Sequence, residues 1–222
     1  MTIDIILYIL AAIVVGYLLG SINFAVIISS LKHDDIRKKG SGNPGAMNMI
    51  RNFGVILGGL TLFCDALKSA VACMIIALLL KFSAIEQQLA YLITMIAGVS
   101  AFVGHIFPLY YKFKGGKAVS VSAGIFAYFC PVSSLICFIG AVLFITITKI
   151  GSVGSFLMIF SMSVCFVVKL LTSYSFDLIY NIALIAIAAM IFVIVVIRHK
   201  ENIKRLINGT ENKTIIFNID KK

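Results

Sequence analysis

Charged residues are scarce in this sequence, and acidic residues are the scarcest of them. Only 13% of the 222 residues are charged, with nine Asp and Glu against 19 Lys and Arg, whereas 61% are hydrophobic. A soluble domain of this length needs far more charge to cover its surface. The mean hydropathy of +1.08 therefore indicates that apolar area faces lipid, and we expect one polytopic membrane domain over residues 1–222.

Several chemical signatures are also missing. The five cysteines lie inside apolar runs, with no CxxC pair and no cysteine–histidine cluster, so we expect no disulfide, no metal and no cofactor. A polar groove with stacking aromatic residues is not evident, which argues against nucleic acid as a partner despite the net charge of +10. The N-terminus lacks a basic segment and a clear cleavage site, so the first apolar run is expected to be a retained span.

Long apolar runs make up most of the chain. A helix needs about 20 apolar residues to cross a bilayer. Five runs are close to this length: Ile5–Leu31, Val55–Leu80, Leu89–Tyr110, Ser152–Val168 and Leu178–Ile197. We therefore expect each of them to form a transmembrane helix.

A sixth apolar run, Ala118–Thr148, is long for one helix and short for two. Pro131 near its middle is compatible with a kink in one helix or with the turn of a helical hairpin. Segments 32–51, 111–117 and 198–222 hold five, three and seven basic residues, together 15 of the 19, so the positive-inside rule places all three in the cytoplasm. A break at Pro131 satisfies this rule. The sequence thus predicts an all-α integral membrane protein of about seven transmembrane helices, with the N-terminus outside and a short basic cytoplasmic tail from about residue 198.

The first polar cluster follows the first apolar run. It begins with Asp35-Ile36-Arg37 and continues as GSGNPGAMNMIR from Gly40 to Arg51. Glycines let backbone N–H groups approach an anion closely, and Asn-Pro-Gly favours a tight turn. The alternative is an ordinary interfacial turn with solvated cations. The candidate anion-binding residues of this cluster are Gly40, Ser41, Gly42, Asn43, Gly45, Asn48 and Arg51.

The second cluster, Lys114-Gly115-Gly116-Lys117, directly precedes an apolar run. Two cations flanking a glycine pair at a helix N-terminus favour phosphate binding, because exposed N–H groups and the helix dipole attract an anion. A topological anchor would need the lysines but not the glycines. The spacing is not that of a Walker A loop, since Ala118 follows the lysine.

The third cluster, Arg198-His199-Lys200-Glu201-Asn202, follows the last span. If the helix continues, His199 and Asn202 share one face. A histidine at the membrane surface could bind phosphate or transfer a proton near pH 7. The alternative is an amphipathic basic tail on anionic headgroups.

Polar residues within or beside the spans are less informative. Asp65 and Lys68 are three residues apart, which suits either a structural ion pair or a site. His105 is expected either to cap a helix, which is the favoured interpretation, or to orient the next loop. Ser152 joins the cytoplasmic face only if the chain breaks at Pro131.

These segments resemble the bacterial acyl-phosphate:glycerol-3-phosphate acyltransferases, membrane enzymes that make lysophosphatidic acid. The similarity covers nearly the whole chain, and its motifs occur in the family's order. It rests on Gly20-Ser21-Ile22, on Asp35 to Arg51, on Asp65 and Lys68, on GHIFPLYYKFKGGK from Gly104 to Lys117, and on RHKENIKRLINGTE from Arg198 to Glu211. The resemblance implies seven spans in a bacterial cytoplasmic membrane, with these loops on the cytoplasmic side.

Two departures from the family pattern concern fine contacts. Met47 stands where the family usually has threonine, and Ala118-Val119-Ser120-Val121 stands where Gly-Val-Ala-Thr is usual. Both departures leave the charged residues intact.

The resemblance also implies a reaction. A fatty acyl group passes from acyl phosphate to the 1-hydroxyl of sn-glycerol 3-phosphate and releases inorganic phosphate, with membrane lipid as the surrounding partner. The hydroxyl proton goes either to the substrate's own phosphate or to His199. The predicted catalytic residues are Ser41, Arg51, Lys117 and His199. The predicted substrate-binding residues are Gly40, Gly42, Asn43, Gly45, Asn48, Lys114, Gly115, Gly116, Ser152 and Asn202.

Other functions fit the pattern less well. The His-x-x-x-x-Asp motif of other glycerolipid acyltransferases follows none of the three histidines. A transporter for a phosphorylated solute would place polar residues at mid-membrane in paired segments. A membrane-anchored interaction protein would not need two cationic turns that contain glycine.

Overall fold

The computed structural model describes residues 2–216, and this part of the chain is helical almost throughout. Six helical units within it are long and apolar enough to cross a membrane, with the first two helices counted as one unit. The all-α membrane fold predicted from the sequence is therefore confirmed. The helices are α1 (Thr2–Ser21), α2 (Phe24–Ser30), α3 (Ala46–Phe53), α4 (Val55–Lys81), α5 (Gln87–Ile106), α6 (Val119–Phe129), α7 (Pro131–Thr148), α8 (Gly151–Ser173), α9 (Leu178–Arg198) and α10 (Lys200–Ile207).

The first apolar run is not one continuous helix as expected. It breaks before Asn23, whose side-chain oxygen accepts a hydrogen bond from the Val26 N–H at 3.0 Å and so caps α2. The Asn23 amide also donates to the Pro44 carbonyl oxygen at 3.3 Å. Asn23 therefore joins the start of α2 to the first glycine-containing loop.

The chain does break at Pro131, as the distribution of positive charge predicts. Cys130 leaves helical geometry, with φ −139° and ψ 65°, and Pro131 begins α7. Proline suits a first helical position because the N–H that it lacks has no partner there anyway. However, α6 has only 11 residues, or about 16 Å of helix against about 30 Å of hydrocarbon. The count of seven spans and the orientation of the termini stay predictions.

Helix α6 packs against α4, α5, α7 and α8. A Cβ on Gly124 would lie 1.9 Å from the Ala66 carbonyl oxygen, so the backbones of α6 and α4 are in direct contact. The Lys169 ammonium donates to the Phe129 carbonyl oxygen at 2.6 Å and so pairs a carbonyl at the end of α6. Residues 121–126 of α6 are buried, so protein surrounds most of this short helix.

Candidate functional site

The polar clusters meet at a pocket of about 230 Å3. Its apolar wall comes from α4, α7 and α8 and includes Leu62, Phe138 and Met158. Loops far apart in sequence thus share one cavity with apolar helix faces. The polar residues that line the pocket include Ser41, Asn43, Asn48, Arg51, Lys117, Ser120, Ser152, His199 and Asn202.

The first turns of three helices also open onto the pocket. N–H groups in a first turn have no partner within their own helix, and the dipole adds partial positive charge there. The structure describes the N-cap residues of all three helices, and none of them accepts a hydrogen bond from the first turn through its side chain. The arrangement therefore favours anions, phosphate in particular. The lining residues concerned are Gly45, Ala46 and Met47 at α3, Ala118, Val119 and Ser120 at α6, and Gly151 and Ser152 at α8.

Arg51 supplies a cation from the last turn of α3. Its Nε donates a hydrogen bond to Thr214 Oγ1 at 3.0 Å. Burial lowers the pKa of Arg51, and the nearby Glu211 carboxylate partly offsets this effect. The remaining guanidinium donors are the two terminal nitrogens, whose planar geometry matches a phosphate.

Lys117 supplies a second cation, just before α6. Its ammonium donates to Asn202 Oδ1, and the Asn202 amide donates to Glu211 Oε1 at 2.6 Å. Arg205 Nε donates to the other Glu211 oxygen at 3.0 Å. Burial, with a further contribution from the Arg205 charge, lowers the pKa of Lys117 to about 8. The lysine is thus held in place by a chain of polar contacts that begins in the C-terminal segment.

His199 lies between α9 and α10 and is 4% exposed. Its Nδ1 is 2.7 Å from the Val195 carbonyl oxygen, which can only accept, so Nδ1 carries the proton and Nε2 is the acceptor in the neutral ring. Burial lowers the pKa of His199 to about 4, so the ring is neutral at pH 7. The helix does not continue smoothly through His199 as supposed, yet His199 and Asn202 both line the pocket.

Ser152 carries an unsatisfied hydroxyl. Its Oγ is buried and has no hydrogen-bond partner among the described residues. One turn further along α8, the Ser155 hydroxyl instead donates to the Gly151 carbonyl oxygen at 2.9 Å. An unpaired buried hydroxyl beside a cavity is suited to a ligand, because burial without a partner is unfavourable.

Asn48 shapes the first loop from within. Its Oδ1 accepts from the Ser41 N–H at 3.2 Å, and its amide nitrogen lies 3.0 to 3.3 Å from the carbonyl oxygens of Ile36, Lys39 and Asn43. Both ends of the Asn48 amide are therefore used within the loop. Although Asn48 lines the pocket, its geometry is that of a residue that holds Ser41 and Asn43 in place.

Five of the predicted binding residues do not line the pocket. Gly40 and Gly42 turn the first loop with φ of 53° and 68°. The backbones of Gly115 and Gly116 pack against His105, where a Cβ on Gly116 would lie 2.4 Å from His105 Nε2. Lys114 is exposed. Among the four residues of the second cluster, Lys117 alone reaches the pocket.

Asp65, Lys68 and His105 form a buried polar network between α4 and α5. The Lys68 ammonium lies 2.7 Å from Asp65 Oδ1 and 2.9 Å from His105 Nδ1, and it also donates to the Ile22 carbonyl oxygen. Of the two interpretations of His105, the structure favours the one in which it orients the next loop, because its ring contacts Lys68 instead of ending as a simple helix cap. Its carbonyl oxygen accepts from the Gly116 N–H at 3.1 Å, so the network supports the loop before Lys117.

The C-terminal segment was missed by the sequence analysis. Thr214 is fully buried, and its N–H donates to the Lys149 carbonyl oxygen at 2.8 Å. Ile150 and Lys213 form an antiparallel bridge beside it, and Ile216 lines the pocket. Ile215, Ile216 and Phe217 follow Thr214 in the sequence, and this short apolar run is the one local sign that the segment could be buried.

Known proteins resemble the chain over most of its length. Residues 10–209 match a family model described as glycerol-3-phosphate acyltransferase. A protein of that name from Thermosipho melanesiensis is 39% identical over 209 residues, which cover 93% of this chain and 92% of the relative. Glycerol-3-phosphate acyltransferase 2 of Bacillus anthracis is 35% identical over 204 residues, which cover 91% of this chain and 97% of the relative.

Solved structures agree with these sequence matches. The crystal structure of PlsY (YgiH), an integral membrane glycerol 3-phosphate acyltransferase, in its glycerol 3-phosphate form superposes with a TM-score of 0.77. It is 29% identical, and the match covers 92% of this chain and 94% of that one. The lysophosphatidic acid form of PlsY gives a TM-score of 0.76 at 28% identity and covers 94% and 96% of the two chains.

Proposed function

The chain belongs to the glycerol-3-phosphate acyltransferase family, and on that basis we propose that it transfers a fatty acyl group from acyl phosphate to the 1-hydroxyl of sn-glycerol 3-phosphate. It is an integral acyltransferase of a bacterial cytoplasmic membrane. The products are lysophosphatidic acid and inorganic phosphate. One observation carries the proposal: Arg51, Lys117 and three helix N-termini line a pocket that has an apolar wall.

The composition of the pocket suits both substrates of this reaction. Acyl phosphate and glycerol 3-phosphate each bring an anionic phosphate, so one site must neutralise several negative charges. Arg51 and Lys117 provide charge-assisted hydrogen bonds, and the helix N-termini add backbone donors. The wall from α4, α7 and α8 accommodates the acyl chain, because apolar side chains line it.

The chemistry requires no protein nucleophile. The 1-hydroxyl oxygen forms a bond to the acyl carbonyl carbon, the bond from that carbon to the phosphate oxygen breaks, and phosphate leaves with the electron pair. Acyl phosphate is a mixed anhydride and is already activated. Ser152 has no hydrogen-bond partner among residues 2–216, so none of these residues is bonded to it as an activating base. Its hydroxyl is instead available to donate to negative charge that develops during transfer.

The proton of the attacking hydroxyl passes to the phosphate of the donor. Burial lowers the pKa of His199 to about 4, which makes its ring a weak base in the free pocket. The departing phosphate gains negative charge as the bond to the acyl carbon breaks, so it becomes a better proton acceptor as transfer proceeds. His199 Nε2 accepts a hydrogen bond and orients the hydroxyl.

The test is acyl transfer by the purified protein in liposomes with labelled glycerol 3-phosphate. We expect lysophosphatidic acid with palmitoyl phosphate and none with palmitoyl-CoA or acyl carrier protein. Lys117→Ala, prepared in parallel, controls for a contaminating enzyme. Equal rates with palmitoyl-CoA would refute the donor assignment. Uptake of glycerol 3-phosphate into the vesicles without acylation would instead favour a transporter.

A further inference from the structure

Residues 210–216, termed the tail strap here, fold back across the candidate site. Thr214 is held by two hydrogen bonds. Its N–H donates to the Lys149 carbonyl oxygen within the antiparallel bridge of Ile150 and Lys213, and its Oγ1 accepts from Arg51 Nε. Earlier in the strap, the Glu211 carboxylate accepts from Asn202 and Arg205. Thr214 is thus fixed by its backbone while its hydroxyl accepts from Arg51. The strap connects α3 to the α7–α8 connector.

Thr214 also contacts the start of α8. A Cβ on Gly151 would lie 3.1 Å from Thr214 Oγ1, so the hydroxyl occupies the space between Arg51 and the first turn of α8. Gly151 and Ser152 line the pocket at this turn. The Thr214 side chain therefore contacts both Arg51 and the first turn of α8, which belong to the proposed phosphate site.

An arginine side chain is costly to hold in one geometry because it has many rotamers. The Thr214 bond engages Nε, while the planar guanidinium keeps its two terminal nitrogens in a fixed relation to that bond. A phosphate that meets an already oriented guanidinium binds more tightly than one that must order it first.

We propose that Thr214 is a positioning residue, which holds the Arg51 guanidinium in the orientation that binds the phosphate of glycerol 3-phosphate. This inference rests on the proposed function, because it assigns Arg51 to that phosphate. Thr214 acts through Arg51 and does not itself touch the substrate. The effect of removing its hydroxyl therefore depends on the presence of the arginine.

Two substitutions separate the hydroxyl from the volume of the side chain. Thr214→Val keeps the shape and removes the acceptor, and we expect the affinity for glycerol 3-phosphate to fall about 5- to 20-fold, since hydrogen bonds to charged groups are worth more than neutral ones. The KM for glycerol 3-phosphate should rise by a similar factor, with a smaller change in kcat. Thr214→Ser keeps the hydroxyl and should restore both values. Thr210→Val, at an exposed threonine of the same strap, is the matched control and should leave both unchanged.

The decisive comparison uses an Arg51→Lys background. Lysine has no donor at the position of Nε, so adding Thr214→Val there should change glycerol 3-phosphate binding less than about twofold. Equal losses in both backgrounds, or an unchanged affinity in Thr214→Val alone, would overturn the inference.

Binding of glycerol 3-phosphate is measured by its stabilisation of the protein against heat, which does not depend on the acyl donor. An enzyme that binds glycerol 3-phosphate but does not use acyl phosphate would refute the proposed function and leave the inference standing. A fall in melting temperature without a change in affinity would make Thr214 merely structural and refute the inference alone.

Discussion

Lys117 and Asn202 lie 85 residues apart in the sequence, and the Lys117 ammonium donates a hydrogen bond to the Asn202 side-chain oxygen. This contact joins the second cluster, Lys114-Gly115-Gly116-Lys117, to α10. Because Asn202 is itself bonded to Glu211, the position of the lysine depends on the C-terminal segment. Lys117 of the second cluster and Asn202 of the third therefore line the same pocket in the folded chain.

The charge of Lys117 predicts a pH dependence. Burial lowers the pKa of Lys117 to about 8, so the cation is lost as the pH rises through about 8 and phosphate binding weakens. We expect kcat/KM for glycerol 3-phosphate to fall above this pH, whereas kcat should fall at higher pH because bound phosphate favours the charged lysine. In Lys117→Arg the side chain stays charged, so the fall of kcat/KM at high pH should disappear. If the fall persists in this variant, the titration belongs to another group.

The unpaired Ser152 hydroxyl provides a matched pair of substitutions. Ser152→Ala should lower kcat about 10- to 100-fold if Oγ donates to charge that develops in the transition state. Ser155→Ala removes a hydroxyl that also lines the pocket but is already bonded to the Gly151 carbonyl oxygen, so its rate should stay within about threefold of wild type. The measurement is single-turnover acyl transfer. Similar losses of rate in Ser152→Ala and Ser155→Ala would mean that both changes destabilise the start of α8, and would argue against a specific role for the Ser152 hydroxyl.

Lys117 and His199 are expected to act on one charged centre. Lys117→Ala and His199→Ala should each lower the rate about 30- to 1000-fold, and the double variant should lose less than the product of the two losses. Lys114→Ala, at the exposed end of the same loop, should have much less effect. A near-wild-type rate for Lys117→Ala would show that Lys117 does not take part in catalysis and that its loop serves only as a topological anchor.

The membrane orientation can be tested by chemical labelling. In a background without the five native cysteines, a cysteine at Asp177 should label in intact cells and one at Asn212 only after permeabilisation. This result follows if the basic segments are cytoplasmic. Labelling of both positions from the same side would disprove the predicted orientation.

The sequence predicts the long elements of the fold well, because hydropathy and positive charge report directly on membrane crossing. Pro131 marks a real helix boundary, because the N–H that proline lacks is not needed at a helix start. The break at Pro131 already implied that α6 is short, because the run Ala118–Thr148 is too short for two full spans. The close contact of Gly124 with α4 was not predictable, because a glycine among apolar residues looks the same whether it faces lipid or another helix.

The candidate site was predicted in part. Polar residues that are rare in an apolar chain stood out, and Arg51, Lys117, Ser152 and His199 all line one pocket. Residues that work by supporting others did not stand out. Thr214 precedes a short apolar run, Ile215 and Ile216, but its pairing with the backbone of the α7–α8 connector is a long-range contact that no local pattern encodes.

The apolar wall of the pocket reaches residues on the surface of the protein. Val55 and Gly59 both line the pocket and are exposed at the start of α4. If the acyl chain of the donor binds along this wall as proposed, we expect it to enter from and return to the membrane without passing through water. We then expect the rate to depend on the mole fraction of donor in the membrane. Adding inert lipid to the vesicles, with the total amount of donor constant, lowers the mole fraction of donor and should slow the enzyme. Adding more vesicles of the same composition keeps the mole fraction constant and should not.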